Sequence, residues 1–112
     1  MLTPGDVVEL DLGAPSGSEA GMVRPAVVVT AGRILRGRPN VAQVVPLTRT
    51  VRDSGAEVVI AADERNGLSA LSAAQCQHVR SVAVGRVSSH IGNIGPVALQ
   101  QVRNTLAVIF DL

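Results

Sequence analysis

Two residues in this chain of 112, Arg24 and Thr48, have the types and the spacing to do chemistry together. Arg24 heads the apolar run RPAVVVT (24–30), and Thr48 closes the run VAQVVPLT (41–48). Two such runs joined by a short connection ordinarily form an antiparallel pair. With Thr30 near Val41, counting outward brings Arg24 opposite Leu47 or Thr48. A shift of one residue sets Arg24 and Thr48 directly opposite and on one face. A guanidinium offers a planar fork to two oxygens and keeps its charge, which suits phosphate. A hydroxyl beside it can donate to a further oxygen. The stretch GAPSGSEAG (13–21) runs directly into Arg24, and its Gly and Ser content reads as a functional loop. Taken singly, an arginine at a strand start is an ordinary solvated charge, and a threonine at a strand end is ordinary β chemistry. Their convergence describes a small β-rich domain with a polar cleft, and periodicity alone goes no further.

The elements that must position this pair follow from the apolar residues. Nineteen residues are Val, five are Ile and one, Phe110, is aromatic. Stiff β-branched side chains favour strands. Strands are expected over residues 7–12, 24–30, 41–48 and 57–62, with a longer one over 72–84. Pro46 suggests an edge or a bulge near the end of its strand. The run at 24–30 is continuous, which implies that both of its faces are covered. Residues 31–40 read as a polar connection. From Gly95 to Phe110 the period becomes helical through Val97, Val102, Leu106 and Ile109, with Leu99 and Val108 beside them. Asn93 or Gly95 is the expected cap and Pro96 the first helical residue.

Composition narrows the function classes. The length fits one domain, 1–112. A single cysteine, Cys76, excludes an internal disulfide and a cysteine-based zinc cluster, and it reads as a packing residue. With two histidines, little is left for a structural metal site. All ten basic residues are Arg, which reads first as codon bias. The net charge is +1, so a nucleic-acid site would have to be a local patch. With no leader-like start and no apolar run of membrane length, a soluble cytoplasmic protein is expected.

Several ordered motifs carry a resemblance. GDVVELDL (5–12), Gly17-Ser18-Glu19, VRPAVVV (23–29), VPLT (45–48), QHVRSV (77–82) and the ending Phe110-Asp111-Leu112 together resemble the MazF/PemK toxins over nearly the whole chain. That resemblance implies a β-rich α+β fold, a small SH3-like barrel (CcdB/MazF-like) with a C-terminal α-helix, found as a homodimer. It implies a toxin of a type II toxin–antitoxin system that arrests growth, neutralised by a MazE-like antitoxin whose extended tail fills the RNA groove. The implied activity is sequence-specific, cofactor-free and metal-independent cleavage of single-stranded RNA, leaving 2′,3′-cyclic phosphate and 5′-hydroxyl ends. The family's essential arginine falls on Arg24 and its essential hydroxyl on Thr48, the pair that the hairpin already brings together. Ser18, Glu19, Arg49, Gln77, His78 and Arg80 fall where substrate would bind, and Glu19 is also a candidate to take the 2′-OH proton. Arg49, Arg52 and Asp53 lie in a loop expected to read the RNA sequence.

This chain departs from its relatives at two places. Val8 stands where the first strand commonly carries an aromatic, so base stacking is a minor contribution here. His78 stands where relatives often have Gln; it reads first as an RNA contact and second as a group that assists proton transfer. Two other functions compete on the same barrel. A CcdB-like poison of DNA gyrase needs a C-terminal Trp, and this chain ends Ile109-Phe110-Asp111-Leu112 without any Trp. A non-catalytic binding module would not need to retain both Arg24 and Thr48.

Overall fold

The computed structural model describes residues 1–11 and 23–112. Its strands are β1 (Asp6–Asp11), β2 (Val23–Val28), β3 (Val41–Thr48), β4 (Glu57–Ile60), β5 (Ser72–Gln75), β6 (Arg80–Ala83) and β7 (Val87–Asn93). A short helix α1 (Gly32–Leu35) interrupts the polar connection after β2, and α2 (Gly95–Phe110) ends the chain. The strands form an antiparallel sheet in the order β4-β5-β3-β2-β1-β7, with β6 also paired to β3. The expected loop at 13–21, with Ser18 and Glu19, lies outside the described residues.

The long strand expected over 72–84 is broken. Leu47 of β3 pairs with Ala74 and Val44 with Arg80, so three steps along β3 are matched by six along its partner. The three residues in excess form the 3-10 turn Cys76–His78, closed by the Val79 amide donating to the Cys76 carbonyl at 3.2 Å. The loose alternation was real, but a local insertion divides the partner strand into β5 and β6. Pro46 is not at an edge. It sits inside β3 between the residues paired with β6 and those paired with β5, where a residue without an N–H costs no bond on that side.

The apolar run in β2 is covered on both sides, as its continuity implies. Val27 joins Val7, Val45, Leu47 and Ala74 in a core under α2, while Ala26 and Val28 join Val8, Leu10, Ala42 and Val44 in a second core. α2 buries Leu99 and Val102 against the first core, with Ala98 and Leu106 packed beside them. Val97 and Val108, expected on that face, are instead 74% and 79% exposed. The helix therefore buries a narrower stripe than its composition suggests. The cap position is Ile94 instead of Asn93 or Gly95, and the helix begins at Gly95, one residue before Pro96. Asn93 braces this start, its Oδ1 accepting the Gly95 amide at 2.7 Å and its Nδ2 donating to the Pro4 carbonyl and to Asp6. Among the described residues no helix is long and apolar enough to cross a membrane.

The strand order is consistent with the expected small barrel, but it is not closed: β4 and β7 stand at its opposite ends, with no ladder between them among the described residues. The turn after β4 bridges that gap. The Asn93 amide donates to the Arg65 carbonyl at 2.9 Å. A Cβ on Gly92 would collide with the Arg65 and Asn66 carbonyl oxygens. The turn itself is knitted around buried Asn66, whose Oδ1 accepts the Asp63 and Leu68 amides and whose Nδ2 donates to the Ala61 carbonyl. At this same end of β7, Asp6 ties the N-terminus to the sheet by accepting from Thr3, Asn93 and His90. Burial raises the carboxyl pKa of Asp6, but these hydrogen bonds outweigh it and hold the group below the usual carboxylate value.

Two predictions follow from this closure. Gly92→Ala should lose about 1–3 kcal/mol of stability, the usual cost of overpacking, read from its denaturation midpoint; an unchanged midpoint would mean that the turn does not hold β7. Because the Asp6 pKa is depressed on folding, its contribution is present above the unfolded-state pKa and lost as pH falls through the folded one. The stability gap between the parent and Asp6→Asn should therefore be widest near neutrality and shrink towards about pH 2. A gap independent of pH would contradict this.

Candidate active site

Past Ala26 and Pro46, the face that carries the second core turns polar. The last β2–β3 pair is Ala26–Pro46, and continuing that register two residues sets Arg24 level with Thr48. The two do not pair as a ladder there. Arg24 pairs with Leu10 of β1, and Thr48 pairs with Ala73 of β5. Both nonetheless line one cleft of about 410 Å³, together with Glu9, Arg49, Leu68, Ser69 and Ser72. β4 and β5 extend the same side. Glu57 opposes Gln75, and Gln75 is one strand period from Ala73, the partner of Thr48.

Several of these polar side chains have a defined partner. Arg24 Nη1 donates to Gln75 Oε1 at 3.2 Å, one of the five N–H groups that a guanidinium carries. Thr48 Oγ1 accepts the Thr50 amide at 3.1 Å, so its own hydrogen is available to donate elsewhere. Arg49 Nη2 donates to Ser69 Oγ at 2.6 Å across the cleft mouth. Gln77 is exposed, and its Nε2 donates to Glu57 Oε2 at 2.7 Å. His78 ends the 3-10 turn, half-buried. Arg80 sits on β6 and lines a different groove with Thr30, Leu106 and Phe110. Arg24, Thr48 and Arg49 are thus brought to one cleft, with Gln77 joined to it through Glu57. Arg80 is carried to another face, and Ser18 and Glu19 lie outside the described residues.

The residue that sequence reasoning missed is Glu57. Its side chain is 1% exposed, yet it carries a carboxylate. Its Oε2 faces Gln77, Gln75 at 3.5 Å and Arg52 at 3.7 Å, while Oε1 has no hydrogen-bond partner among the described residues. The available signal was a Glu heading the otherwise apolar run EVVI, where a buried strand normally starts with an apolar residue. Arg52, expected to read RNA, is here the exposed partner of that carboxylate.

Cys76, between the two glutamines, points away from the cleft into the first core, and burial pushes its thiol up to about 11. It has the environment of a packing residue rather than of a reactive thiolate. Among the described residues no three His, Cys, Asp or Glu side chains come together as metal ligands would. What the cleft offers is a cation held by Gln75 and a hydroxyl able to donate, beside Arg49 and Glu9: Arg24 and Thr48 are of the types that bind and polarise a phosphate diester.

Comparison with known proteins agrees in order and extent. Residues 3–110 match the family model described as PemK-like, MazF-like toxin of type II toxin–antitoxin system. Endoribonuclease MazF9 of Mycobacterium tuberculosis is 34% identical over 119 residues, covering 100% of this chain and 98% of that protein. Among solved structures, MazF from Deinococcus radiodurans superposes with a TM-score of 0.82 at 24% identity, over 99% of this chain and 97% of its own. An endoribonuclease from a mycobacterial species, solved with its cognate antitoxin, gives 0.81 at 18% identity over 100% and 97%. At those identities the two structures speak for the fold.

Proposed function

The chain belongs to the PemK-like, MazF-like toxins of type II toxin–antitoxin systems, and on that footing we propose that it is a sequence-specific, metal-independent endoribonuclease acting on single-stranded RNA. The substrate's own 2′-OH attacks the adjacent phosphorus. The 2′-oxygen–phosphorus bond forms and the bond to the 5′-oxygen breaks. The 2′-hydroxyl loses its proton and the departing 5′-oxygen gains one, leaving a 2′,3′-cyclic phosphate and a 5′-hydroxyl. No protein nucleophile is needed, so catalysis reduces to alignment and to stabilising charge on pentacoordinate phosphorus.

The observation that carries this reading is Arg24 and Thr48 lining one cleft, each with donor capacity beyond its contact to Gln75 or Thr50. Arg24 binds the non-bridging oxygens with its remaining N–H groups. Thr48 donates to a phosphoryl oxygen or to the leaving oxygen. A guanidinium is a poor proton donor, so Arg24 acts electrostatically first. Glu19 is a candidate to accept the 2′-OH proton, and Ser18, Arg49, Gln77, His78 and Arg80 are candidates for RNA contact. The protein works as a homodimer in the cytoplasm and is restrained by a MazE-like antitoxin, whose acidic tail suits an arginine-bearing groove. Release from that antitoxin lets RNA cleavage arrest growth.

Incubation of the purified protein with a long RNA in EDTA should give discrete fragments bearing 5′-hydroxyls. Arg24→Ala should lower the rate by roughly a hundred- to a thousand-fold, as expected for one preorganised charge donor. Intact RNA, or cleavage restored only by a divalent ion, would contradict the proposal.

A further inference from the structure

We infer that Gln75 and Glu57 form a relay that fixes the orientation of the Arg24 guanidinium, making both of them positioning residues for cleavage. The inference rests on Arg24 being the catalytic cation. The chain of contacts runs one way: Arg24 Nη1 donates to Gln75 Oε1 at 3.2 Å, and Gln75 Nε2 donates to Glu57 Oε2 at 3.5 Å. A side-chain amide could take either of two orientations. The reversed one would set its NH2 against the arginine's N–H and its oxygen against a carboxylate. The buried carboxylate therefore decides which end of Gln75 meets Arg24.

Glu57 can play this part because it is itself held. Gln77 donates to the same oxygen at 2.7 Å, and Arg52 stands 3.7 Å away at the solvent side. A carboxyl group with so little exposure, and with one oxygen that has no partner among the described residues, is costly to keep, so it implies a use beyond local packing. Without the relay, a long arginine side chain would sample several rotamers in an open cleft. With it, one N–H is spent inward and the others are aimed at the phosphate. Preorganisation of this kind acts on the rate more than on substrate affinity.

The test measures kcat and KM on a short RNA containing one cleavage site, for Gln75→Leu and for the shape-preserving Glu57→Gln. Each change is also placed in an Arg24→Lys background. In the parent background, Gln75→Leu should lower kcat about tenfold or more with KM changed less than about twofold. Glu57→Gln, which can still accept from Gln75, should lose less. Neither should slow the residual rate of Arg24→Lys, because the fork they orient is gone. Independently of activity, the Arg24 side-chain NMR signal should show faster rotation about Cζ–Nε in both variants than in the parent protein. Unchanged kcat in both variants, equal losses in both backgrounds, or unaltered guanidinium rotation would overturn the relay. An Arg24→Lys enzyme as fast as the parent would instead overturn the assignment of Arg24, which separates the two failures.

Discussion

Strand β3 serves two ladders along its length, and the site depends on how it changes partner. One edge holds β2, up to the pair Ala26–Pro46. The other holds β6 for its first half and β5 for its last two residues. The 3-10 turn Cys76–His78 absorbs the difference in residue count and sends β5 outward to pair with β4. Without that change of partner, Gln75 and Glu57 would have no strand to bring them level with Arg24 and Thr48. The backbone is fixed here because Val27, Val45, Leu47, Ala74 and Cys76 are packed in one core directly beneath. Moving any of these strands by one residue would turn its buried set outward.

The cleft sets two arginines, with Glu9 also on its wall, in front of a buried acid. Arg24 and Arg49 line the cleft, while Glu57 lies behind Gln75 with hardly any exposed surface. A carboxylate in direct contact with a phosphate would repel it. Held one amide away, it can order the arginine while leaving that cation's outward N–H groups for an anion. Gln77, although exposed, is tied to that acid, so a residue that sequence similarity assigns to RNA contact is, in the free protein, bound to Glu57.

The parts of this arrangement that were legible in the sequence are those set by burial. The apolar runs of β2 and β3 reach both cores, so β3 could be read at its observed bounds and β2 to within two residues of its end, and counting across their connection brought Arg24 near Thr48. The C-terminal helix was legible from its period, with Asn93 at its start. β7 was not read as a strand, because Ser88, Ser89 and His90 are exposed on an edge that pairs only with β1, and Gly92 is needed for close backbone approach instead of side-chain packing. The 3-10 insertion carries no strong turn residue. Asn66 and Glu57 resemble surface residues in composition and are buried only because tertiary partners satisfy them, which no local pattern records.

The central claim is that Arg24 and Thr48 assist an attack made by the RNA's own 2′-hydroxyl. Sequencing the 5′ ends of cleaved RNA locates the scissile bond, and a short substrate can then be made with a single 2′-deoxy nucleotide on the 5′ side of that bond. The account predicts that this RNA still binds, competes with the unmodified substrate and is not cut. Cleavage of the deoxy substrate at the same bond would contradict it, because the nucleophile would then have to come from the protein or from water.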